Sequence, residues 1–151
     1  MEQSLIFALT YICASFMLTI SCIASAKAIA MTANATLGAL RKKPDVFSKA
    51  MILTALPSTQ GLYGFAAFFF IFGALRDLTV LSWGAALPVM ATAIALGSAG
   101  IYVSVCQGKI LSNGLNDLGN GADVFSKTLI LAAFPELYAI LPFALTFIAL
   151  P

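Results

Sequence analysis

The amino-acid sequence predicts an all-α membrane protein with four transmembrane helices, arranged as two tandem hairpins in a parallel repeat. Hydrophobic residues make up 61% of the chain and charged residues only 9%, whereas charged residues supply roughly a quarter of an ordinary soluble domain. A helix needs about 20 mostly apolar residues to cross a bilayer. The chain has four such runs, near 5–26, 50–75, 78–106 and 128–150, and they leave no room for a soluble domain.

The first run is predicted to be a membrane helix rather than a secretory signal. The residues that precede it, MEQS, include an acid where a signal peptide carries basic residues, and the apolar stretch is longer than a signal core. The first and third runs are rich in Ala, Ser, Thr, Gly and Cys, which allow helices in membranes to pack closely. The second and fourth runs carry bulkier side chains. This contrast favours two inner and two outer helices, although an ordinary four-helix bundle is compatible with the same composition.

The second and fourth runs begin with copies of one segment. DVFSKAMILTALP at 45–57 recurs as DVFSKTLILAAFP at 123–135, an offset of 78 residues. The preceding helices match more loosely, with SAKAIAM at 25–31 opposite QGKILSN at 107–113, an offset of 82. The chain is therefore a tandem duplication. Since each half crosses the membrane an even number of times, both halves have the same orientation.

The duplication predicts a first hairpin at 1–76 and a second hairpin at 77–151, and the basic residues predict how they are oriented. Seven of the eight basic residues flank the loops inside the two hairpins, whereas the loop between the hairpins has only Arg76. Because basic residues concentrate on the cytoplasmic side, we predict a multi-pass protein of the cell membrane with both hairpin loops in the cytoplasm and both termini opposite. The seven are Lys27, Arg41, Lys42, Lys43, Lys49, Lys109 and Lys127.

Glu136 is the one acidic residue inside an apolar run. An unpaired charge at that depth costs at least ~2.5–3.5 kcal/mol, and such residues are usually functional. The first half has no counterpart, because Ser58 lies opposite Glu136 at the offset of 78. The chain has no His, no phosphate-binding loop and no Ser/His/Asp set, so the sequence does not support nucleotide hydrolysis, zinc chemistry or acyl transfer. Neither a nucleotide nor a nucleic acid is expected as a ligand.

A polar stripe interrupts the second run at its proline. Pro57 lacks the N–H that would bond to the Leu53 carbonyl, which leaves backbone oxygens free for another partner. Gln60 has more hydrogen-bonding groups than its own helix can satisfy, while Thr59 could bond back to that helix. The stripe consists of residues spaced i, i+3, i+4 and i+7, which share one helix face: Leu56, Thr59, Gln60 and Tyr63.

Gln107 is predicted to lie beside Glu136. It precedes the third loop by about as many residues as Glu136 follows it, so at about 1.5 Å per residue the two reach a similar depth. With the stripe they form a set of one carboxylate, two amide oxygens, one hydroxyl and one freed carbonyl. Hard cations prefer oxygen ligands, and a single negative charge fits a monovalent ion better than Ca²⁺.

Over its whole length the sequence resembles the proteolipid, or c/K rotor-ring subunit, of V-type rotary ATPases, specifically their sodium-translocating bacterial branch. The segments LPSTQGLYGF at 56–65, CQGK at 106–109 and PELYAI at 135–140 are similar to LPGTQGLYGF, AQGK and VETYAI in that branch. Pro135 and Leu137 differ from the residues that usually flank the acid. These differences affect the expected kink and affinity of the site without removing a ligand.

The resemblance implies a role for each residue of the polar set. Glu136 is the implied ion-binding carboxylate, and Leu56 is the implied backbone ligand, whereas the proline pattern pointed to the carbonyl of Leu53. The implied side-chain ligands of Na⁺ are Thr59, Gln60 and Gln107, and Tyr63 is implied to donate a hydrogen bond to Glu136.

The resemblance also implies partners and a mechanism. Copies of the chain form a homo-oligomeric ring in contact with lipid, and the ring rotates against a static membrane subunit that carries a basic residue. Central-stalk subunits connect it to other subunits that hydrolyse ATP. H⁺ is the alternative ion, since a protonated Glu136 needs few partners. A small proton-coupled secondary transporter is an alternative of another class, which the parallel repeat disfavours, and a purely structural oligomer leaves Glu136 unexplained.

Overall fold

The computed structural model describes residues 1–151, and all of its regular secondary structure is helical. Four segments are long and apolar enough to cross a membrane, and they confirm the predicted all-helical, multi-span class. The second of them, Pro44–Arg76, is divided into two helices by a short turn. The helices are α1 (Glu2–Lys42), α2 (Phe47–Ala55), α3 (Thr59–Arg76), α4 (Trp83–Gly119) and α5 (Phe125–Ala149).

Helices α1 and α4 extend well beyond the apolar runs that predicted them. The first run was expected to end near residue 26, but α1 continues to Lys42, and α4 continues to Gly119 rather than 106. The additional turns contain polar residues, which lower hydropathy without breaking a helix. The start of α4 differs too, because the helix begins at Trp83, where the Ser82 side chain accepts a hydrogen bond from the N–H of Ala85 at 3.3 Å.

The second span is interrupted at Pro57. Helix α2 ends at Ala55, residues Leu56–Ser58 form a 3₁₀ turn, and the chain continues as α3. Two hydroxyls of α1 bond to carbonyls around this turn. Ser25 Oγ donates to the Pro57 carbonyl at 2.8 Å, and Thr32 Oγ1 donates to the Thr54 carbonyl at 3.1 Å. The polar backbone at the interruption is thus partly satisfied by the neighbouring helix, as burial in a membrane requires.

Helices α1 and α4 approach each other through small residues. Gly97 and Gly108 of α4 lie against Met17 and Ala28 of α1. Further along, a Cβ added to Gly119 would come within 2.6 Å of the α1 backbone. Such contacts let membrane helices pack closely, and the structure therefore has the small-residue contact that the composition of these two runs favours.

Two apolar clusters lie on either side of a polar layer in the bundle. The cluster towards the chain termini contains residues such as Met17, Ile71 and Val89. The cluster towards the hairpin loops contains residues such as Leu53 and Leu111. The polar layer between them consists of buried polar side chains from α1, α3 and α4, namely Ser21, Ser25, Gln60, Ser104 and Gln107.

Candidate functional site

Glu136 lies half-buried on α5 and accepts hydrogen bonds from two other helices. Tyr63 Oη of α3 donates to Glu136 Oε1 at 2.9 Å, and Gln107 Nε2 of α4 donates to Glu136 Oε2 at 2.6 Å. The carboxylate has no basic partner in the chain. The three ion pairs of the chain are elsewhere: Lys43 with Asp45, Lys49 with Asp123, and Arg76 with Asp77.

Gln107 is held in one orientation by two acceptors. Besides Glu136, its Nε2 lies 3.2 Å from the carbonyl oxygen of Ala132. The side chain is completely buried, and its other polar atom, Oε1, has no hydrogen-bond partner. A buried polar atom without a partner costs about 1–3 kcal/mol. The fixed orientation therefore leaves a buried amide oxygen that can accept a donor or coordinate a cation.

Gln60 also has a buried amide oxygen without a partner. The side chain is 2% exposed, and Gln60 Oε1 accepts no hydrogen bond. Its Nε2 lies 3.5 Å from Thr59 Oγ1, and Thr59 Oγ1 in turn donates to the Leu56 carbonyl at 3.0 Å. The structure thus joins three of the predicted ligands in a chain of polar contacts at the start of α3. Thr59 bonds back to its own helix, which was the alternative open for that hydroxyl.

The predicted residues form two groups that no hydrogen bond joins. One group contains Glu136, Gln107 and Tyr63, and the other contains Leu56, Thr59 and Gln60. Each group includes one glutamine with an unpaired Oε1. The other backbone oxygen that the sequence suggested belongs to Leu53, whose side chain packs in the loop-side apolar cluster.

The predicted donor set is of the kind that suits a singly charged hard cation. It has one carboxylate and otherwise neutral oxygens, and the chain has no cluster of three or more His, Cys, Asp or Glu residues. Sites for Ca²⁺ usually gather several carboxylates, and sites for zinc use His or Cys. A monovalent cation next to Glu136 makes the pair neutral, which suits a position inside a membrane.

Several contacts around the site were missed by the sequence reasoning. The Ala132 carbonyl accepts from Gln107, Ser25 reaches the Pro57 carbonyl, and the ring of Phe143 lies 5.2 Å from the ring of Tyr63. A signal existed for Ser25, because it lies opposite Gln107 in the repeat at the offset of 82. The seven-residue spacing between Glu136 and Phe143, which puts both on one helix face, was a weaker signal for the third contact.

The sequence matches one protein family in both of its halves. The family of ATP synthase C subunits matches residues 12–71 and again residues 90–149. The two matches are offset by 78 residues, as are the repeated DVFSK motifs. The chain belongs to the ATP synthase C-subunit family. This membership confirms the prediction of a proteolipid of a rotary ATPase, a component of that complex rather than an enzyme by itself.

Two relatives of this chain are both named as subunit K, one of a V-type ATPase and one of an A-type ATP synthase. It is 37% identical over 131 residues to the V-type sodium ATPase subunit K of Enterococcus hirae, a match that covers 83% of this chain and 80% of that protein. It is 33% identical over 103 residues to the A-type ATP synthase subunit K of Methanocaldococcus jannaschii, which covers 68% of this chain and 44% of that protein. Members of the family form rotor rings within ATPase complexes, so this chain is a rotor-ring subunit.

Proposed function

We propose that this rotor-ring subunit binds Na⁺ at Glu136 and carries it across the membrane as the ring of a V-type ATPase turns. The observation that carries the proposal is that two buried amide oxygens, Gln60 Oε1 and Gln107 Oε1, have no hydrogen-bond partner. Gln107 also donates directly to Glu136, a carboxylate without a basic partner. The similarity to a protein named for a sodium ATPase supports the choice of ion.

A bound Na⁺ would connect the two groups of polar residues. Glu136 provides the negative charge, and each glutamine contributes its unpaired oxygen. Thr59 Oγ1 and the Leu56 carbonyl, which lie together at the start of α3, complete a set of five oxygens. Tyr63 donates to one oxygen of Glu136 and Gln107 to the other, and each oxygen keeps a further lone pair that can face the ion. This arrangement supplies the oxygen ligands that a hard monovalent cation prefers.

The number of acceptors favours Na⁺ over H⁺. A proton on Glu136 needs at most one acceptor, and it would leave at least one of the buried amide oxygens of Gln60 and Gln107 without a partner. Because each unpaired buried oxygen costs about 1–3 kcal/mol, a ligand that contacts both glutamines stabilises the site more. Na⁺ does this, since its coordination shell takes several oxygens at once.

The absence of a basic partner also suggests how the ion is exchanged. A bare Glu136 inside the membrane needs a compensating charge, and no Lys or Arg of this chain provides one. A basic residue on the static membrane partner of the ring can take that role at the moment of exchange. The membrane field contributes about 2.3 kcal/mol per charge per 100 mV, so many sites per turn can be coupled to ATP hydrolysis or synthesis by other subunits.

The proposal includes the arrangement of the chain in the cell membrane. The hairpins comprise residues 1–76 and 77–151, with both loops on the cytoplasmic side, where the central-stalk subunits bind, and with both termini opposite. Support comes from the seven basic residues that flank those loops. Copies of the chain pack side by side in the ring, and lipid covers the remaining apolar surface.

Equilibrium binding of ²²Na⁺ to the purified ring tests this function. One Na⁺ per chain is expected for the wild type, and none for Glu136→Gln, which keeps the side-chain volume and removes the charge. Asp117→Asn is the matched control, because it removes an exposed acid at the loop end of α4 and should retain full binding. Full sodium binding by Glu136→Gln would place the site elsewhere.

A further inference from the structure

Tyr63 contacts α5 at two points that lie seven residues apart. Its hydroxyl donates to Glu136 at 2.9 Å, and its ring lies against the ring of Phe143 with centroids 5.2 Å apart and planes tilted by 34°. Residues i and i+7 of a helix are on the same face, two turns apart. One side chain of α3 therefore holds both the ion-binding carboxylate and an aromatic ring further along α5.

Each of the two α5 residues that Tyr63 contacts follows a proline. Pro135 precedes Glu136 directly, and Pro142 precedes Phe143 directly. Each proline lacks the N–H that would continue the helical hydrogen bonds and disturbs the turn before it. The backbone alone therefore fixes this part of α5 less firmly than an uninterrupted helix would, and contacts from neighbouring helices help to set where Glu136 lies.

Further aromatic contacts hold the Phe143 ring in place. The Phe143 ring meets the Phe147 ring edge to face at 5.2 Å, and Phe147 lies 4.8 Å from Phe70 of α3. Phe70 is seven residues after Tyr63, so the contacts return to the helix where they began. The four rings connect α3 and α5 on the side of Glu136 that leads to the chain termini.

We propose that Phe143 is a positioning residue for ion binding, because its ring keeps the Tyr63 ring in the orientation in which the hydroxyl reaches Glu136. This inference rests on the proposed function of Glu136. Without Phe143 the Tyr63 ring gains freedom, and its hydrogen bond to Glu136 is formed for less of the time. Glu136 is then held less firmly in the position that binds the ion.

A double-mutant cycle tests this role with Phe143→Leu, Tyr63→Phe and the double variant. Carbodiimide labelling of Glu136 in the purified ring gives two measurements, the Na⁺ concentration for half-protection and the labelling rate without sodium. We expect Phe143→Leu to raise the half-protecting concentration about 2- to 10-fold, the range for losing one aromatic pair, and to speed labelling. Combined with Tyr63→Phe, the Leu substitution should cause no further change in either measurement.

Two controls separate positioning from general packing. Phe143→Tyr keeps the ring and should behave like the wild type. Phe65→Leu removes an exposed ring of α3 that stacks on Phe69 rather than on Tyr63, and it should also leave both measurements unchanged.

The inference would be overturned if Phe143→Leu gave the wild-type half-protecting concentration and labelling rate. It would also be overturned if Phe143→Leu had as large an effect in the Tyr63→Phe variant as in the wild type. If sodium failed to protect the wild type, the proposed function would fail separately. The labelling rates without sodium would still test the positioning role, because they depend on the hydrogen bond between Tyr63 and Glu136 and not on which ion the ring carries.

Discussion

Replacing Gln107 by Ala should weaken sodium binding more than any other change to an uncharged side chain of the site. The substitution removes the amide oxygen that we propose binds the ion, and the 2.6 Å hydrogen bond to Glu136 Oε2. Hydrogen bonds to charged groups contribute about 1.5–3 kcal/mol, and neutral ones about 0.5–1.5 kcal/mol. A loss of about 1–3 kcal/mol corresponds to a Kd for Na⁺ that is about 5- to 150-fold higher.

The assembly should survive this substitution. Gln107 lies in the polar layer inside the chain, and the close contacts of α1 with α4 at Gly97 and Gly119, which hold the fold of each subunit, lie well away from it. Calorimetric titration of Na⁺ into the purified ring measures the Kd, and gel filtration monitors assembly. Asn113→Ala is the matched control, because it removes an exposed amide from the same helix and should bind sodium as the wild type does.

Gln60→Ala should weaken sodium binding in the same direction, but by less, because Gln60 makes no hydrogen bond to Glu136. Unchanged sodium affinity in both glutamine variants would refute the five-oxygen arrangement. Weakened affinity in the Asn113→Ala control would show that any loss of an amide from α4 disturbs the site, and the result for Gln107 would then carry no information about a ligand.

Two further predictions concern packing around the site. Gly119→Ala should destabilise the protein by about 1–3 kcal/mol, since the added Cβ would lie 2.6 Å from the Ala39 Cα. Thermal unfolding in detergent measures this loss of stability. The control is Gly73→Ala, where no atom lies within 4 Å of the added Cβ, and it should not be destabilised by a packing clash. Ser25→Ala should lower stability by about 0.5–1.5 kcal/mol, because it removes the donor to the Pro57 carbonyl, and unchanged unfolding would show that this bond contributes nothing.

The spans and the pairing of Gln107 with Glu136 could be predicted from the sequence because both follow from length. A bilayer requires a fixed length of apolar helix, and equal distances from a shared loop bring residues of antiparallel helices to one depth. The functional interpretation of Glu136 was accessible for a similar reason, since a carboxyl group is costly wherever it lies within an apolar run.

The remaining features depend on how the helices are rotated against one another. Ser25 reaches the Pro57 carbonyl, and Phe143 reaches Tyr63, only because particular faces of α1 and α5 turn towards the second span. Hydropathy carries no information on that rotation. Hydropathy also placed the end of α1 near residue 26 rather than at Lys42, because it detects a run of apolar residues and not the continuation of the helix through more polar turns.

Competition between Na⁺ and a carbodiimide for Glu136 is the measurement that decides whether this ring carries sodium. A carbodiimide that attacks protonated carboxyl groups in membranes should label Glu136 in sodium-free buffer, and Na⁺ should suppress the labelling. Protection should need more Na⁺ as the pH falls, because Na⁺ and H⁺ neutralise the same carboxylate. The larger K⁺ at equal ionic strength should protect less. Labelling of Glu136 that ignores sodium at every pH would instead indicate a proton-carrying ring, and labelling of another acid would contradict the site itself.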